Sequence, residues 1–269
     1  MSKPKVARSV AANRGIEARY RRELRQMIAE MHGSVQYWLT AAYRKDPPLM
    51  AADASKPIQQ YASSTGPVAR MRKALAGLQA RWLTKFDEMA PQIAEAYLKG
   101  MFKASDSAMR QALKDAGWSV EFKMTREVRQ AFQASLAENV GLIKSIPEQY
   151  LQQVEGVVMR SYTAGRDLET MVKDLQALYP KVGNRAVLIA RDQSNKANGV
   201  VTRTRWKELG ITDAIWMHSH AGKVPRPDHV AANGKRYKID EGCKISGEFV
   251  FPGETKINCR CTGRPILPF

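Results

Sequence analysis

The chain has 269 residues and a mass of 30.1 kDa, enough for one large domain or two ordinary ones, and its 44% hydrophobic and 26% charged residues exclude wholesale disorder. No stretch approaches the roughly 20 apolar residues of a membrane-spanning helix. The opening MSKPKVARSVAANRG is basic with no apolar core behind it, which argues against a secretory signal. Lys and Arg number 43 against 26 Asp and Glu, a net charge of +17. A charge of that size speaks of a polyanionic partner rather than of a fold: nucleic acid first, then acidic proteins or membrane surfaces.

In chain order, residues 8–44 predict a basic helix with Ile16, Tyr20, Leu24, Met27, Ile28 and Met31 on one face. Residues 1–45 hold ten basic and three acidic side chains, which marks Arg14, Arg19, Arg21, Arg22 and Arg25 as candidate contacts to DNA phosphates or to an acidic partner. Residues 46–67, rich in proline and small side chains, read as a linker. A helical stripe runs from Met71 through Leu75, Leu78, Trp82 and Phe86, with a kink or restart expected at Pro91, then on through Tyr97 and Phe102 to a break at Gly117. Thr125 is an expected N-cap. Ser145 with Pro147 predicts another helix start, separating a helical region 68–144 from a segment 145–269. Asp167 caps a helix ending at Pro180, and Asn184 caps a long one stopped by Gly210. The basic residues of that helix read as a polar outer face, and Trp206 and Trp216 as core. After helices over 145–210, the texture over 211–269 turns β-rich. AIWMH reads as a strand, Asn233-Gly234 as a hairpin turn and EFVF as a short strand. The expected fold is mainly α with a small C-terminal α+β module containing a β-hairpin.

Three of the four histidines (His218, His220, His229) and all three cysteines (Cys243, Cys259, Cys261) fall in this end. A disulfide framework is a poor reading of an odd count with a Cys-x-Cys pair; a reducing compartment or a metal fits better. Zinc takes four nitrogen or sulfur ligands. His229, Cys259 and Cys261, with Cys243 or one of the other histidines, can supply them. The alternative is small buried thiols and hydrogen-bonded histidines. His218, His220, Asp228, His229 and Asn233 also suggest a His-Asn-His metal nuclease, but no histidine follows His229 to complete one.

The run AIWMHSHAGKVPRPDHVAANGKRY, ending in FPGETKINCRC and preceded by ARDQSNKANGVVTRTRWKELGI, resembles the phage Mu F-like family of head morphogenesis (minor capsid) proteins over roughly residues 145–269. The residues that carry the likeness are Arg226, Pro227, His229, Gly234, Pro252, Gly253, Asn258 and Arg260. The resemblance implies a non-enzymatic structural and assembly factor of the phage head. Such a protein is associated with the portal protein and the inner capsid or scaffold, present in a few copies inside the virion, in the host cytoplasm during assembly, and in contact with packaged DNA that it can follow on ejection. In some relatives Cys-x-x-Cys stands where Arg226 and His229 stand here, and His-Pro-x-Cys-Arg-Cys closes the motif. Those relatives resemble four-ligand zinc sites. Here Arg226 and Lys256 occupy two of the ligand places, which makes Cys243 the natural substitute and a metal-free, hydrogen-bonded fold the alternative. Two other readings stay open: a metal-dependent DNA nuclease built on the His/Cys cluster, and a basic DNA-binding module of host origin.

Overall fold

The computed structural model describes residues 4–48, 66–221 and 224–269, so most of the expected 46–67 linker lies outside the described residues. The elements run α1 (Arg14–Lys45), α2 (Pro67–Asp115), α3 (Arg126–Thr163), α4 (Leu168–Gln176), α5 (Tyr179–Glu208), β1 (Asp213–Met217), α6 (Pro227–Ala231), β2 (Arg236–Lys238), β3 (Cys243–Ile245), β4 (Glu248–Val250) and β5 (Thr262–Pro265). The fold is mainly α with a small C-terminal antiparallel β region, as expected. Among the described residues no helix is long and apolar enough to cross a membrane.

The chain divides into two compact units that interleave in sequence. One comprises Met1–Arg21, Ile93–Asn139 and Leu188–Phe269, the other Arg22–Gln92 and Val140–Val187. In the second unit, the apolar stripes of the helices meet in a core of Leu24, Ile28, Met31, Leu75, Trp82, Phe86, Tyr150, Val154 and Leu175, all buried. Each such large side chain contributes roughly 1.5–3 kcal/mol when fully buried. Two of its polar side chains are satisfied within the unit. His32 Nδ1 lies 2.7 Å from the Tyr150 hydroxyl, and Tyr162 donates to the Asp46 carbonyl at 2.8 Å.

Several predicted helix ends are displaced. α2 runs through Pro91 and α3 through Ser145 and Pro147 without a restart, so the expected division between 144 and 145 falls inside α3. A proline in a helix interior costs about 3 kcal/mol. The buried apolar residues on either side, Phe86 and Ala90 in α2 and Ile143, Ile146 and Tyr150 in α3, outweigh it. Ser145 does not cap; its hydroxyl donates to the Leu142 carbonyl at 2.7 Å. Pro180 begins α5 rather than ending α4, because a first-turn proline lacks only an N–H that would be unpaired anyway. Asn184 is therefore interior to α5. The caps that hold are Asp167, which accepts from Thr170 N at 2.7 Å, and Thr125, which accepts from Val128 N at 3.3 Å. Gly117 and Gly210 both adopt positive φ at their helix ends, as predicted.

In the first unit, the described residues before Arg14 are an extended arm, not the start of a helix. Ala7 N donates to Pro265 O at 3.1 Å and Leu267 N to Lys5 O at 2.8 Å, which lays the arm along the β5 edge. β1 is the centre of a three-stranded antiparallel sheet, β2-β1-β5, and β3 pairs with β4. The tight β3–β4 turn sits at Ser246-Gly247, both at positive φ. The predicted hairpin at Asn233-Gly234 instead links α6 to β2, with Gly234 N donating to Trp216 O at 2.8 Å. Ala7, Val10, Trp206, Trp216, Tyr237, Cys243 and Leu267 share one buried apolar cluster.

Two glycines give opposite predictions. A Cβ on Gly199 of α5 would lie 2.9 Å from the Pro252 carbonyl oxygen, while one on Gly77 of α2 meets nothing within 4 Å. Ala gains up to about 1 kcal/mol of helix propensity at either site, and overpacking against backbone costs about 1–3 kcal/mol. Gly77→Ala should raise the melting temperature and Gly199→Ala should lower it in thermal denaturation followed by circular dichroism. A second prediction concerns Asp213, which starts β1 and accepts hydrogen bonds from Arg236, Thr212 and Lys238 at 3.0, 2.7 and 3.0 Å. Arg236 above all holds its carboxyl well below the usual range, against the opposing effect of burial. A depressed folded-state pKa stabilises above the unfolded value of about 3.9 and loses that contribution as pH falls below it. Asp213→Asn should melt lower at pH 7 and show a shallower loss of stability than wild type below about pH 4.

Candidate metal centre and its cleft

The C-terminal motif reads, in three dimensions, as a loop held against α5. Asp192 of α5, buried, accepts the Asn258 N–H at 2.5 Å. Arg203 grips Glu254 through two guanidinium nitrogens, Nε at 3.1 Å and Nη2 at 2.8 Å. Gly253 (φ +77) and Asn258 (φ +57) take the left-handed turns that bring the chain back to Cys259. A Cβ on Gly253 would lie 3.1 Å from the Asn195 carbonyl of α5, and Pro252 is buried beside it.

α6 faces this loop from the other side. Pro227 opens α6, and Arg226 before it donates to the Ile257 carbonyl at 2.8 Å. His229 on α6 is 2% exposed, and its Nδ1 lies 3.6 Å from Cys259 Sγ and 3.7 Å from Cys261 Sγ. These three ligand atoms all fall within 4.8 Å of one another, and among the described residues no further His, Cys, Asp or Glu joins them. Trp216 meets the His229 ring edge to face at 5.3 Å. His229 Nε2 is buried without a hydrogen-bond partner.

The sulfurs are electrostatically unequal. The hydrogen bond from the Cys261 thiol holds the Cys259 thiol low against its burial, helped by the N–H groups of Cys261 and Gly253 and by His229. Cys261 is pushed up as the donor of that pair and by its own burial. Thiolate, imidazole nitrogen and N–H support are the donor set of a thiophilic divalent cation. Zn–N near 2.05 Å and Zn–S near 2.3 Å at a tetrahedral angle imply an N···S edge of about 3.6 Å. The two observed N···S distances match that edge, so these residues fit zinc.

The structure does not bring Cys243 to this group. It sits on β3, buried in the apolar cluster, where burial raises its thiol pKa. Nor do the other candidate catalytic residues point at the sulfurs. Asn233 Oδ1 accepts the His218 N–H at 2.9 Å, and Asp228 accepts from its neighbour's N–H at 2.8 Å and from Ser246. Of the N-terminal arginines, Arg14 pairs with Glu17 at 2.5 Å. Arg19, Arg21, Arg22 and Arg25 stand on α1 with no ion pair among the described residues, Arg21 half-buried and the other three exposed.

One feature has no signal in the local sequence. The triad borders a cleft of about 870 Å³ whose other walls include His218, Arg191, Arg226 and Arg260. Arg260 donates to the Ala221 carbonyl at 2.7 Å, and its pKa is lowered by burial and then by the like charges of Arg191 and Arg14. In the sequence, Arg191 reads as part of an outer helix face, with a partner contact at its ARDQ segment as the alternative. That face is in fact split: Arg205 is 2% exposed, held by Asp106 and Glu208, while Arg191 faces the cleft.

Residues 152–264 match the family described as Phage Mu protein F like protein. An uncharacterized protein of Haemophilus influenzae is 35% identical over 152 residues, which cover 55% of this chain and 32% of that protein. The chain thus spans about a third of the length of the curated relative it matches. No solved structure matches it.

The Asp192–Asn258 contact gives a test. Asp192→Ala leaves an N–H of the loop without its acceptor, a loss of about 1–3 kcal/mol, whereas Asp192→Asn keeps an oxygen in place. The melting temperature should fall clearly for Asp192→Ala and much less for Asp192→Asn. Equal melting of the two variants would mean that the loop is held elsewhere.

Proposed function

Because residues 152–264 match the phage Mu protein F-like family, we propose that this chain is a minor head protein. In this reading it is a structural factor of capsid morphogenesis that binds the portal and inner capsid and contacts packaged DNA. The observation that carries this reading is the use made of the motif. Gly234, Gly253 and Asn258 supply left-handed backbone, Pro252 packs, and Arg226 and Arg260 donate to loop carbonyls. These are architectural roles, suited to an assembly protein. The DNA contact rests on Arg19, Arg21, Arg22 and Arg25 of α1, which have no carboxylate partner among the described residues. Guanidinium groups of this kind bind phosphates without reading sequence.

One observation favours a second reading, a metal-dependent nuclease: the candidate metal ligands open on a cleft with three arginines. Against it, Asn233 and Asp228 are already engaged in local hydrogen bonds.

The test replaces Arg19, Arg21, Arg22 and Arg25 with alanine. If all four neutralise phosphates, the slope of log binding constant against log salt should fall by up to about 3–4, near 0.9 for each phosphate left without its arginine. The copy number of the protein in purified particles should fall as well. An unchanged slope together with unchanged incorporation would overturn the proposal. Plasmid nicking with Mg²⁺ or Zn²⁺, abolished in His229→Ala, would replace it with the nuclease.

A further inference from the structure

We infer that His229 Nδ1, Cys259 Sγ and Cys261 Sγ bind one zinc ion as a three-ligand site whose fourth position faces the arginine-lined cleft and takes water or a small oxyanion. The inference concerns the metal and its open corner, and stands apart from the assembly role.

Three observations carry it. First, the two N···S distances of 3.6 and 3.7 Å span the tetrahedral edge expected for zinc, so the ligand atoms are already spaced for the ion. Second, no side chain among the described residues closes the site. Among the described residues the ligand group stops at three. Cys243, buried on β3, is not among them. His218 borders the cleft, but its Nδ1 accepts the His220 N–H at 3.2 Å. That places the ring proton of neutral His218 on Nε2. Freeing Nε2 for a metal would put a proton on Nδ1 opposite another N–H. Third, the cleft is charged to receive an anion. A divalent ion with two thiolates and a neutral imidazole has no net charge. Around it Arg191, Arg226 and Arg260 line the cleft, and no carboxylate is among the lining residues. Arg191 has no side-chain partner among the described residues, while Arg226 and Arg260 each spend one donor on a backbone carbonyl. Their remaining N–H groups match the geometry of a phosphate or carboxylate. A closed structural site has four protein ligands; one that keeps three leaves the fourth to an exchangeable group.

The experiment uses the full chain. Metal content of the purified protein should be about one zinc per chain. His229→Ala, Cys259→Ser and Cys261→Ser should each weaken zinc binding by more than the roughly 10–100-fold typical of outer partners. His218→Ala and Cys243→Ser should retain it. The cobalt(II)-substituted protein should then show thiolate charge-transfer bands, and visible bands that shift on adding azide or inorganic phosphate. Arg191→Ala should weaken that anion response while leaving metal content intact. Three results overturn the proposal: no stoichiometric metal, a cobalt spectrum indifferent to both anions, or loss of metal in His218→Ala. Should a cysteine variant fail to fold, the charge-transfer bands of the wild-type cobalt protein still decide whether thiolates bind the ion.

Discussion

A stretch of α5 is both buried and polar, on all sides of the helix over residues 192–195. Asp192, Gln193, Ser194, Asn195, Asn198, Thr202 and Arg205 are all buried, and a buried polar group without a partner costs about 1–3 kcal/mol. The partners come from segments far apart in sequence. Asn198 donates to the Val10 carbonyl of the N-terminal arm at 2.9 Å and accepts from Ser105 of α2 at 2.8 Å. Gln193 accepts from Asn139 of α3 at 2.8 Å, and Asn139 accepts from Tyr20 of α1 at 3.1 Å. Asp192 holds Asn258, and Arg205 holds Asp106. No one of these segments satisfies α5 alone: the arm, the three helix portions and the C-terminal loop each supply part of its partners. The position of Cys259 and Cys261 is a consequence of that requirement.

This also explains what the sequence shows and what it hides. Caps are legible because they are local: Asp167 and Thr125 act on N–H groups three residues away, and Gly210 needs only its own φ. The apolar stripes are legible because their period is local too. The arm at Ala7 and strand β5 are not: the arm pairs with Pro265, about 260 positions away, and β5 forms only by pairing with β1, about 50 positions upstream. β5, TGRP, has neither β-branched alternation nor length, and its Gly263 is set by Tyr237 and Trp206, whose atoms a Cβ would meet at 2.5 and 2.8 Å. Pro91 and Pro147 mislead for the opposite reason. Their local penalty is real, and buried neighbours decide otherwise.

At the site, the sequence carried His229, Cys259 and Cys261 as a set, because three soft ligands near one turn are rare. It put Cys243 ahead of the other histidines as the fourth ligand, and the structure does not place Cys243 in the group. That depends on the register of β3 and on the Ser246-Gly247 turn, which puts Cys243 opposite Val250. The motif's glycines were visible as letters, but their role was not. Gly253 matters because Asn195 and Cys261 carbonyls crowd it, and both contacts are tertiary.

The charge excess acquires a structural meaning along α5. Its basic residues divide into those with carboxylates and those without. Lys196 has Glu138 at 2.7 Å, Arg203 has Glu254, and Arg205 has Asp106 and Glu208. These pairs hold the fold. Arg191, on the same helix, has no such partner and opens on the cleft with Arg226 and Arg260. A chain with 43 basic and 26 acidic residues must leave cations unpaired somewhere. Leaving them spread over the surface would cost little, because exposed like charges are screened within about 10 Å at ordinary salt. Gathering three around one concave site, close enough for Arg191 to lower the pKa of Arg260, has a cost that an external anion would remove. An anion in the cleft would offset that repulsion, and the sulfurs and imidazole lie at its wall.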